Sequence, residues 1–315
     1  MLDDLRLAWR HQRLELTVLL GGSVVLAIAI AVLAARLDAA GDELYACLQA
    51  VAPTDPNGLA CREKSDLANA LLGAASVVGP IAALVPFVAG VFLGTPLVAG
   101  EIEHRTASMA WSLNASRRRW LLRRFVPIGI SFVLAAGLLA AANHLLFVAA
   151  SPDDRIGFNH YGMSGMLMVA RGVGVLAIGL VVGLVIGRVL PAVLVTGLLV
   201  IGLMVGMTAG RDMLMRGEAE WVEMGAQTMI DSPWYDSGYR DDATGGLITW
   251  DEMYRRYPEE METGDGTIPG TTMVALVLPP ERVPSFVVRE TAAFGGVTLV
   301  SVLLSLGLVG SRRPL

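Results

Sequence analysis

Six segments of this chain are long and apolar enough to cross a membrane as α-helices, and this feature constrains the fold more than any other. A hydrocarbon core of about 30 Å needs about 20 apolar residues in a helix that rises 1.5 Å per residue. The candidate spans lie near residues 16–36, 68–94, 125–150, 163–187, 189–208 and 285–309. Only 17% of the residues are charged, which is low for a soluble protein. The sequence therefore predicts an all-α polytopic membrane protein with six transmembrane helices.

The distribution of basic residues predicts that both termini face the cytoplasm (N-in, C-in). With that orientation the cytoplasmic segments carry twelve arginines, whereas the short outer loops carry four basic residues. Such an excess on the cytoplasmic side is the rule in membrane proteins. Before span 1, "MLDDLRLAWRHQRLEL" places leucines and Trp9 on one helical side and arginines on another. This pattern predicts an N-terminal interfacial elbow helix, although an ordinary positive flank of span 1 explains the arginines equally.

Hydropathy divides the chain into three regions. Residues 1–208 contain the elbow helix, spans 1 to 5 and a cytoplasmic loop at 96–124. Residues 209–284 are acidic, and residues 285–315 contain span 6 and a cytoplasmic tail. The aromatic residues of the acidic region favour a small extracytoplasmic domain over the alternative, a disordered loop. Within it, "WDEMYRRYP" predicts a short helix ending at Pro258, and "TTMVALVL" predicts a strand.

The motifs of soluble enzymes and of nucleic-acid-binding proteins fail in this sequence. The chain has one lysine, Lys64, and Glu63 stands before it where a phosphate-binding loop requires glycine. The four histidines have no metal-ligand spacing, and the net charge of −5 provides no basic field for nucleic acid. We therefore predict a non-enzymatic chain with no metal and no nucleic-acid partner.

Glycines recur every fourth residue in spans 4 and 5, which predicts close helix packing. A partial GxGxxG at 171–179 lies inside a span and not after a soluble strand, so we do not interpret it as a nucleotide site. The repeated glycines are Gly179, Gly183, Gly187, Gly202, Gly206 and Gly210.

The two cysteines, Cys47 and Cys61, fall in one predicted outer loop. An even pair outside the cytoplasm predicts a disulfide, and two free thiols are the alternative.

Polar side chains inside spans are the candidate sites within the membrane. Arg171 and Glu290 lie in the outer halves of spans 4 and 6. They pair across helices, line a polar cavity, or snorkel to the outer interface, and for Arg171 we favour snorkelling. Asn143 and His144 in span 3 are interpreted first as helix–helix hydrogen-bond partners.

The cytoplasmic loop contains acidic, basic and aromatic residues in a short stretch. Pro96 ends span 2, and we expect Glu101 and Glu103 in the first turns of a short helix, where negative charge is favourable. A positive-inside anchor explains the arginines but not the glutamates, Thr106 or Trp111. A docking element for a cytoplasmic partner explains all of them.

The stretch "FLGTPLVAGEIEHRTASMAWSLNASRRRWLLRRF" resembles the region between spans 2 and 3 of ABC-2 type transporter permeases, especially those of actinobacteria. The agreement with the family pattern covers Phe92, Gly94, Pro96, Leu97, Ala99, Glu101, Glu103, Thr106, Ala110, Trp111, Ser116, Arg117, Arg119 and Trp120. "WRHQR" near the N-terminus and "FVVRE" before the last span are also similar to family motifs. Arg105 stands where the family has glycine, which puts the local turn in question.

The resemblance implies the permease subunit of an ABC-2 type exporter in a bacterial cytoplasmic membrane. It implies two copies of the permease and a separate cytoplasmic ATP-binding subunit, which holds the ATP and Mg²⁺, so that no cofactor belongs to this chain. The substrate would be hydrophobic or amphipathic. The expected ATPase-docking residues are Glu101, Glu103, Arg105, Thr106, Trp111, Arg117 and Arg119. The alternative is a membrane-anchored sensor or assembly factor whose external region 209–284 binds a ligand.

Overall fold

A computed structural model of the chain describes residues 2–51, 59–106, 116–151, 160–224, 234–258, 268 and 270–311, with side chains from residue 14 onward. Six helices in this part of the chain are long and apolar enough to cross a membrane. They are α1 (Leu2–Val51), α2 (Arg62–Gly94), α4 (Arg117–Ala150), α5 (Gly165–Ile186), α6 (Val189–Gly217) and α8 (Val283–Ser311), and the short helix α3 (Pro96–Glu103) follows α2. Each of the six predicted spans thus corresponds to one long apolar helix of the structure.

Helix α1 is much longer than the span predicted within it. It runs without a break for 50 residues, because no proline interrupts it before Pro53. The expected elbow helix is therefore continuous with span 1 and is not a separate element.

The helices form one unit that includes α1 to α5, α6 as far as Met204, and α8 from Val287 onward. One buried cluster joins α1, α2 and α4 through small side chains such as Ala34, Ala82 and Ala142. A second cluster joins α3 to α4 and α5, with Val98, Trp120 and Leu180 in its centre. The short helix α3 is thus anchored in the core by its own apolar face.

Helices α2 and α5 approach closely at a row of glycines. A Cβ atom on Gly183 would collide with the carbonyl oxygen of Thr95, and one on Gly179 would lie 3.1 Å from the Thr95 nitrogen. The packing role predicted for these two glycines is confirmed. Gly187 differs, because its φ of 67° ends α5 in the left-handed conformation. On α6, a Cβ atom added to Gly202, Gly206 or Gly210 would meet no atom of the described residues within 4 Å, so this series does not pack within the described part of the chain.

The second unit, Val205–Phe286, contains an antiparallel sheet. Its strands are β1 (Glu220–Glu223), β2 (Trp234–Asp241), β3 (Leu247–Ile248) and β4 (Thr271–Val277), in the order β1-β4-β2-β3. Helix α7 (Trp250–Arg256) precedes β4. The predicted short helix and the predicted strand are confirmed, whereas the all-α class is wrong for this unit.

A small aromatic core supports the sheet. Tyr239 of β2 meets Trp250 of α7 edge to face with ring centroids 5.2 Å apart, and the Trp250 indole donates to Ser237 Oγ at 2.8 Å. Tyr239 and Met253 are buried there with Ile248. The aromatic residues of this region therefore build a folded unit.

The turn after β2 is held by Asp241. Its carboxylate accepts the backbone N–H of Thr244 and that of Ala243, at 3.0 Å and 2.9 Å. These bonds favour the ionised carboxylate and so lower the pKa of Asp241. The acidic residue thus fixes the chain reversal that leads into β3.

Candidate functional site

Helix α3 begins directly after α2, with one residue, Thr95, between them. Pro96 takes the first helical position, where its missing N–H costs nothing. Glu101 and Glu103 consequently lie at the C-terminal end of α3, and the expectation that they occupy its first turns is wrong. The start of the helix carries Leu97 and Val98, which are buried.

Glu103 bonds the beginning of helix α6. Its Oε2 accepts the backbone N–H of Val189 at 2.8 Å. The first N–H groups of a helix have no partner within the helix, and negative charge is favourable at that end. Glu103 thus links the end of α3 to the start of span 5.

Glu101 forms an ion pair with Arg124 of α4. The Arg124 guanidinium also lies 4.9 Å from the centroid of the Trp120 ring, which packs in the core. The Glu101 side chain is 21% exposed and the Arg124 side chain is 32% exposed, so solvent screens this ion pair only partly. Glu101 thus links the end of α3 to the start of span 3.

Arg105 gives the end of α3 its turn. With φ of 58°, it is the only non-glycine with positive φ in the described part of the chain. Its N–H donates to Ile102 O at 3.2 Å, and Thr106 Oγ1 donates to Glu101 O at 3.3 Å. These bonds satisfy carbonyls that the helix end leaves open. Arginine therefore adopts the left-handed turn at the position where the resembling family has glycine.

Two of the remaining predicted docking residues, Arg117 and Arg119, belong to the start of α4. Ser116 caps this helix by accepting the Arg119 N–H at 3.2 Å. Arg117 is half-buried and Arg119 is exposed. Trp111 lies outside the described residues. The structure therefore gathers Glu101, Glu103, Arg105 and Thr106 at one helix end, with Arg117 and Arg119 in the first turn of α4.

Arg171 of α5 and Glu290 of α8 form an ion pair inside the first unit. Arg171 Nε donates to Glu290 Oε1 at 2.8 Å, Nη2 donates to the same oxygen, and Nη1 donates to the Gly162 carbonyl at 3.3 Å. The two side chains are 13% and 9% exposed. Arg171 therefore pairs across helices, which differs from the snorkelling that the sequence favours.

The turn before α5 leaves room for this arginine. A Cβ atom on Gly162 would collide with the Arg171 guanidinium, and the φ of 73° at Gly162 also favours glycine. Gly162 thus holds the Arg171 side chain in place through a close approach of its backbone.

Asn143 and His144 differ in their surroundings. The Asn143 side chain is fully buried and donates to Gly79 O of α2 at 3.0 Å and to Met163 O at 2.7 Å. It therefore ties α4 to α2 and to the turn before α5. His144, the next residue of α4, is exposed.

Cys47 near the end of α1 and Cys61 at the start of α2 form a disulfide, with an Sγ–Sγ distance of 2.03 Å. Among the residues that the structure describes, no group of three or more His, Cys, Asp and Glu side chains is arranged to hold a metal ion.

Several residues of these networks are not indicated by the sequence. Arg124, the Val189 amide and Gly162 carry no sequence signal of their own, because their partners are distant in the chain.

Comparison with known proteins gives one family match. The sequence model of the family described as ABC-2 membrane transporter related matches residues 20–211, more than half of the chain. No curated protein and no solved structure matches significantly. The matched range includes α3 and Arg171 and ends before the sheet of the second unit.

Proposed function

Because the chain belongs to the ABC-2 membrane transporter related family, we propose that it is the permease subunit of an ABC-2 type exporter. The family and the six apolar helices support a membrane transporter permease. In this proposal two copies form a homodimer in the cytoplasmic membrane of a bacterium, with both termini inside. A separate ATP-binding subunit hydrolyses ATP with Mg²⁺, and this chain carries out no catalysis. The transported molecule is hydrophobic or amphipathic.

The bracing of α3 is the observation that carries this proposal. Helix α3 continues from α2, is ion-paired to α4 through Glu101 and caps α6 through Glu103. Thr95, at its start, packs against the glycines of α5. A displacement of α3 would therefore be transmitted to α2, α4, α5 and α6 through the chain itself, hydrogen bonds, an ion pair and backbone contacts. Rigid-body switching of the spans requires such direct connections.

The tip of α3 provides the surface that would receive the partner. Glu103, His104, Arg105 and Thr106 are exposed there. We propose that these residues, together with Trp111, Arg117 and Arg119, seat α3 in the ATP-binding subunit. In this arrangement Glu101 transmits the motion to α4 and makes little contact with the partner itself.

Two variants separate docking from transmission when the chain is co-purified with a candidate ABC-type ATP-binding subunit. Trp111→Ala is expected to weaken assembly by about tenfold or more, the effect of truncating an aromatic anchor. Glu101→Gln is expected to leave assembly intact and to reduce the stimulation of ATP hydrolysis by substrate, because the link to Arg124 weakens. Arg36→Ala, at an exposed arginine of α1, serves as the control. Unchanged assembly and unchanged coupled hydrolysis in both variants would contradict the proposal.

A sensor or assembly factor is the second candidate, and the folded second unit favours it. The sheet and its aromatic core can support a ligand site without any ATPase. A full-length chain that binds a ligand through this unit and never associates with an ATPase would select this candidate.

A further inference from the structure

Two buried oxygen atoms on adjacent residues of α8, one of them in the Arg171–Glu290 pair, have no hydrogen-bond partner among the described residues. They are Glu290 Oε2 and Thr291 Oγ1. Arg171 directs two N–H groups at Glu290 Oε1 and a third at the Gly162 carbonyl, so the second carboxylate oxygen receives none. The Glu290 side chain is about nine-tenths buried, with 9% of its surface exposed.

Such atoms mark a place where a ligand group would complete the hydrogen bonding. Buried polar atoms in folded proteins are hydrogen-bonded in the great majority of cases, and a carboxylate oxygen is among the costliest to leave unpaired. Arg171 gives its third donor to the Gly162 carbonyl, and the collision that any Cβ at Gly162 would cause shows how closely the guanidinium is held. In this arrangement Oε2 receives no hydrogen bond from Arg171.

The chemistry of the open atoms restricts what they bind. An ionised carboxylate oxygen only accepts hydrogen bonds, and a threonine hydroxyl accepts or donates. The occupant must therefore present an N–H or O–H donor. One helical turn after Glu290, the fully buried Phe294 lies against Gly174 of α5, so the polar atoms adjoin apolar surface.

We propose that Glu290 and Thr291 form a binding site for the donor head group of an amphiphilic molecule, with Arg171 as the positioning residue that holds the carboxylate. The head group is a primary ammonium or a hydroxyl, which share the donor that Oε2 requires. Only the interpretation of this binding site as a substrate site rests on the proposed transport function. The binding itself needs no ATP-binding subunit.

The test measures binding of matched ten-carbon amphiphiles to the full chain in lipid nanodiscs by titration calorimetry, with the signal of empty nanodiscs subtracted. Decylammonium and decanol carry donors, whereas decyltrimethylammonium has the same charge as decylammonium but no N–H. We expect saturable binding of at least one of the first two and none of the third. The donor that binds identifies the class of head group.

Matched threonine variants connect this binding to the site. Thr291→Val is expected to weaken binding about tenfold, the loss expected for one hydrogen bond to a charged network. Thr298→Val on the same helix is the control, because its hydroxyl already donates to Phe294 O at 2.8 Å. Glu290→Gln should abolish binding, and if that variant fails to fold, the threonine pair still decides.

Three results would overturn the proposal. They are the absence of saturable binding by both donors, equal binding of the quaternary ammonium, and equal effects of the two threonine variants. A complex with the ATP-binding subunit that assembles normally in any of these cases would leave the proposed function standing.

Discussion

Arg105 occupies a backbone conformation that L-residues seldom adopt. The left-handed region costs a residue with a Cβ atom about 1–2 kcal/mol, whereas glycine enters it freely but loses more chain entropy on folding. The end of α3 nevertheless turns here, because the Arg105 amide and the Thr106 hydroxyl satisfy its last carbonyls. Helix-end hydrogen bonds and the buried face of α3 therefore determine this turn more than the identity of residue 105.

Substitutions at Arg105 should rank by their tolerance of positive φ. We expect Arg105→Val to lower the free energy of unfolding by about 1 kcal/mol or more, because β-branched residues resist this region most. Arg105→Gly should match the parent protein or exceed it slightly. Chemical unfolding of the full chain in detergent measures both. Arg36→Val in the regular helix α1 controls for the loss of an exposed arginine, and an Arg105→Val variant as stable as this control would contradict the expectation.

The partners of individual residues were less predictable than the residues themselves. The sequence singles out Glu101 and Glu103 as unusual in a basic loop, and both make specific contacts. Their partners, Arg124 and the Val189 amide, lie on other helices, and no local spacing relates them. Hydrogen bonds between distant segments depend on how helices pack, which a pattern along the chain does not contain.

Close packing of α2 on α5 sets the geometry of the spans around α3. Gly90 and Gly94 of α2 face Leu176, whose backbone a Cβ at either position would meet at about 3.0 Å or less. Gly179 and Gly183 face Thr95 in the same way. Because small residues on both helices let the backbones meet, a rigid pair of helices leads directly into α3.

The two glycine rows should respond oppositely to alanine. Gly183→Ala places a methyl group on the Thr95 carbonyl oxygen, and overpacking of this kind costs about 1–3 kcal/mol. Gly206→Ala meets open space and should be neutral or stabilising by up to about 1 kcal/mol, because alanine favours helix. Thermal unfolding of each variant in the same detergent gives the comparison. Equal destabilisation by both changes would contradict the open surroundings of Gly206. A second copy of the chain packed against α6 would then explain the result.

Hydropathy predicts the helical elements well and their ends poorly. Each span is fixed by its own composition, so all six are found from the sequence. The extension of α1 to Val51 depends on the absence of a helix breaker rather than on hydropathy. Of the strands in the second unit only β4 is predicted, because two threonines there lead into an apolar run, Met273–Val277. Strands β1 to β3 are short or polar, and their pairing within the sheet creates them.

At the scale of the whole molecule, both the disulfide and the distribution of arginines indicate which side of the membrane each loop occupies. Cys47–Cys61 joins α1 to α2, and disulfides persist in oxidising compartments outside the cytoplasm. A single crossing by α2 from that point would place α3 on the opposite side, where the arginines also predict it. Two independent physical effects thus support the orientation that the proposed ATP-driven function requires.

Cysteine accessibility tests this orientation in a background with Cys47→Ser and Cys61→Ser. Removing the disulfide costs about 3 kcal/mol in the chain-entropy model, so the background must first be shown to insert and fold. Asp251→Cys in α7 and Arg188→Cys between α5 and α6 replace exposed residues. A membrane-impermeant maleimide should label the first in intact cells and the second only after permeabilisation.

The opposite labelling pattern would have a consequence beyond topology. Arg188 precedes Val189, whose amide donates to Glu103 of α3, so residue 188 and the end of α3 must lie on the same side of the membrane. If Arg188→Cys were labelled in intact cells, the exposed tip of α3 would face away from every cytoplasmic ATPase. The permease proposal would then fail, and so would the sensor alternative with its external ligand-binding region, because the second unit would lie inside the cell. If only permeabilised cells label Arg188→Cys, α3 faces the compartment in which ATP is hydrolysed, and its links to α4 and α6 are placed to transmit the resulting motion.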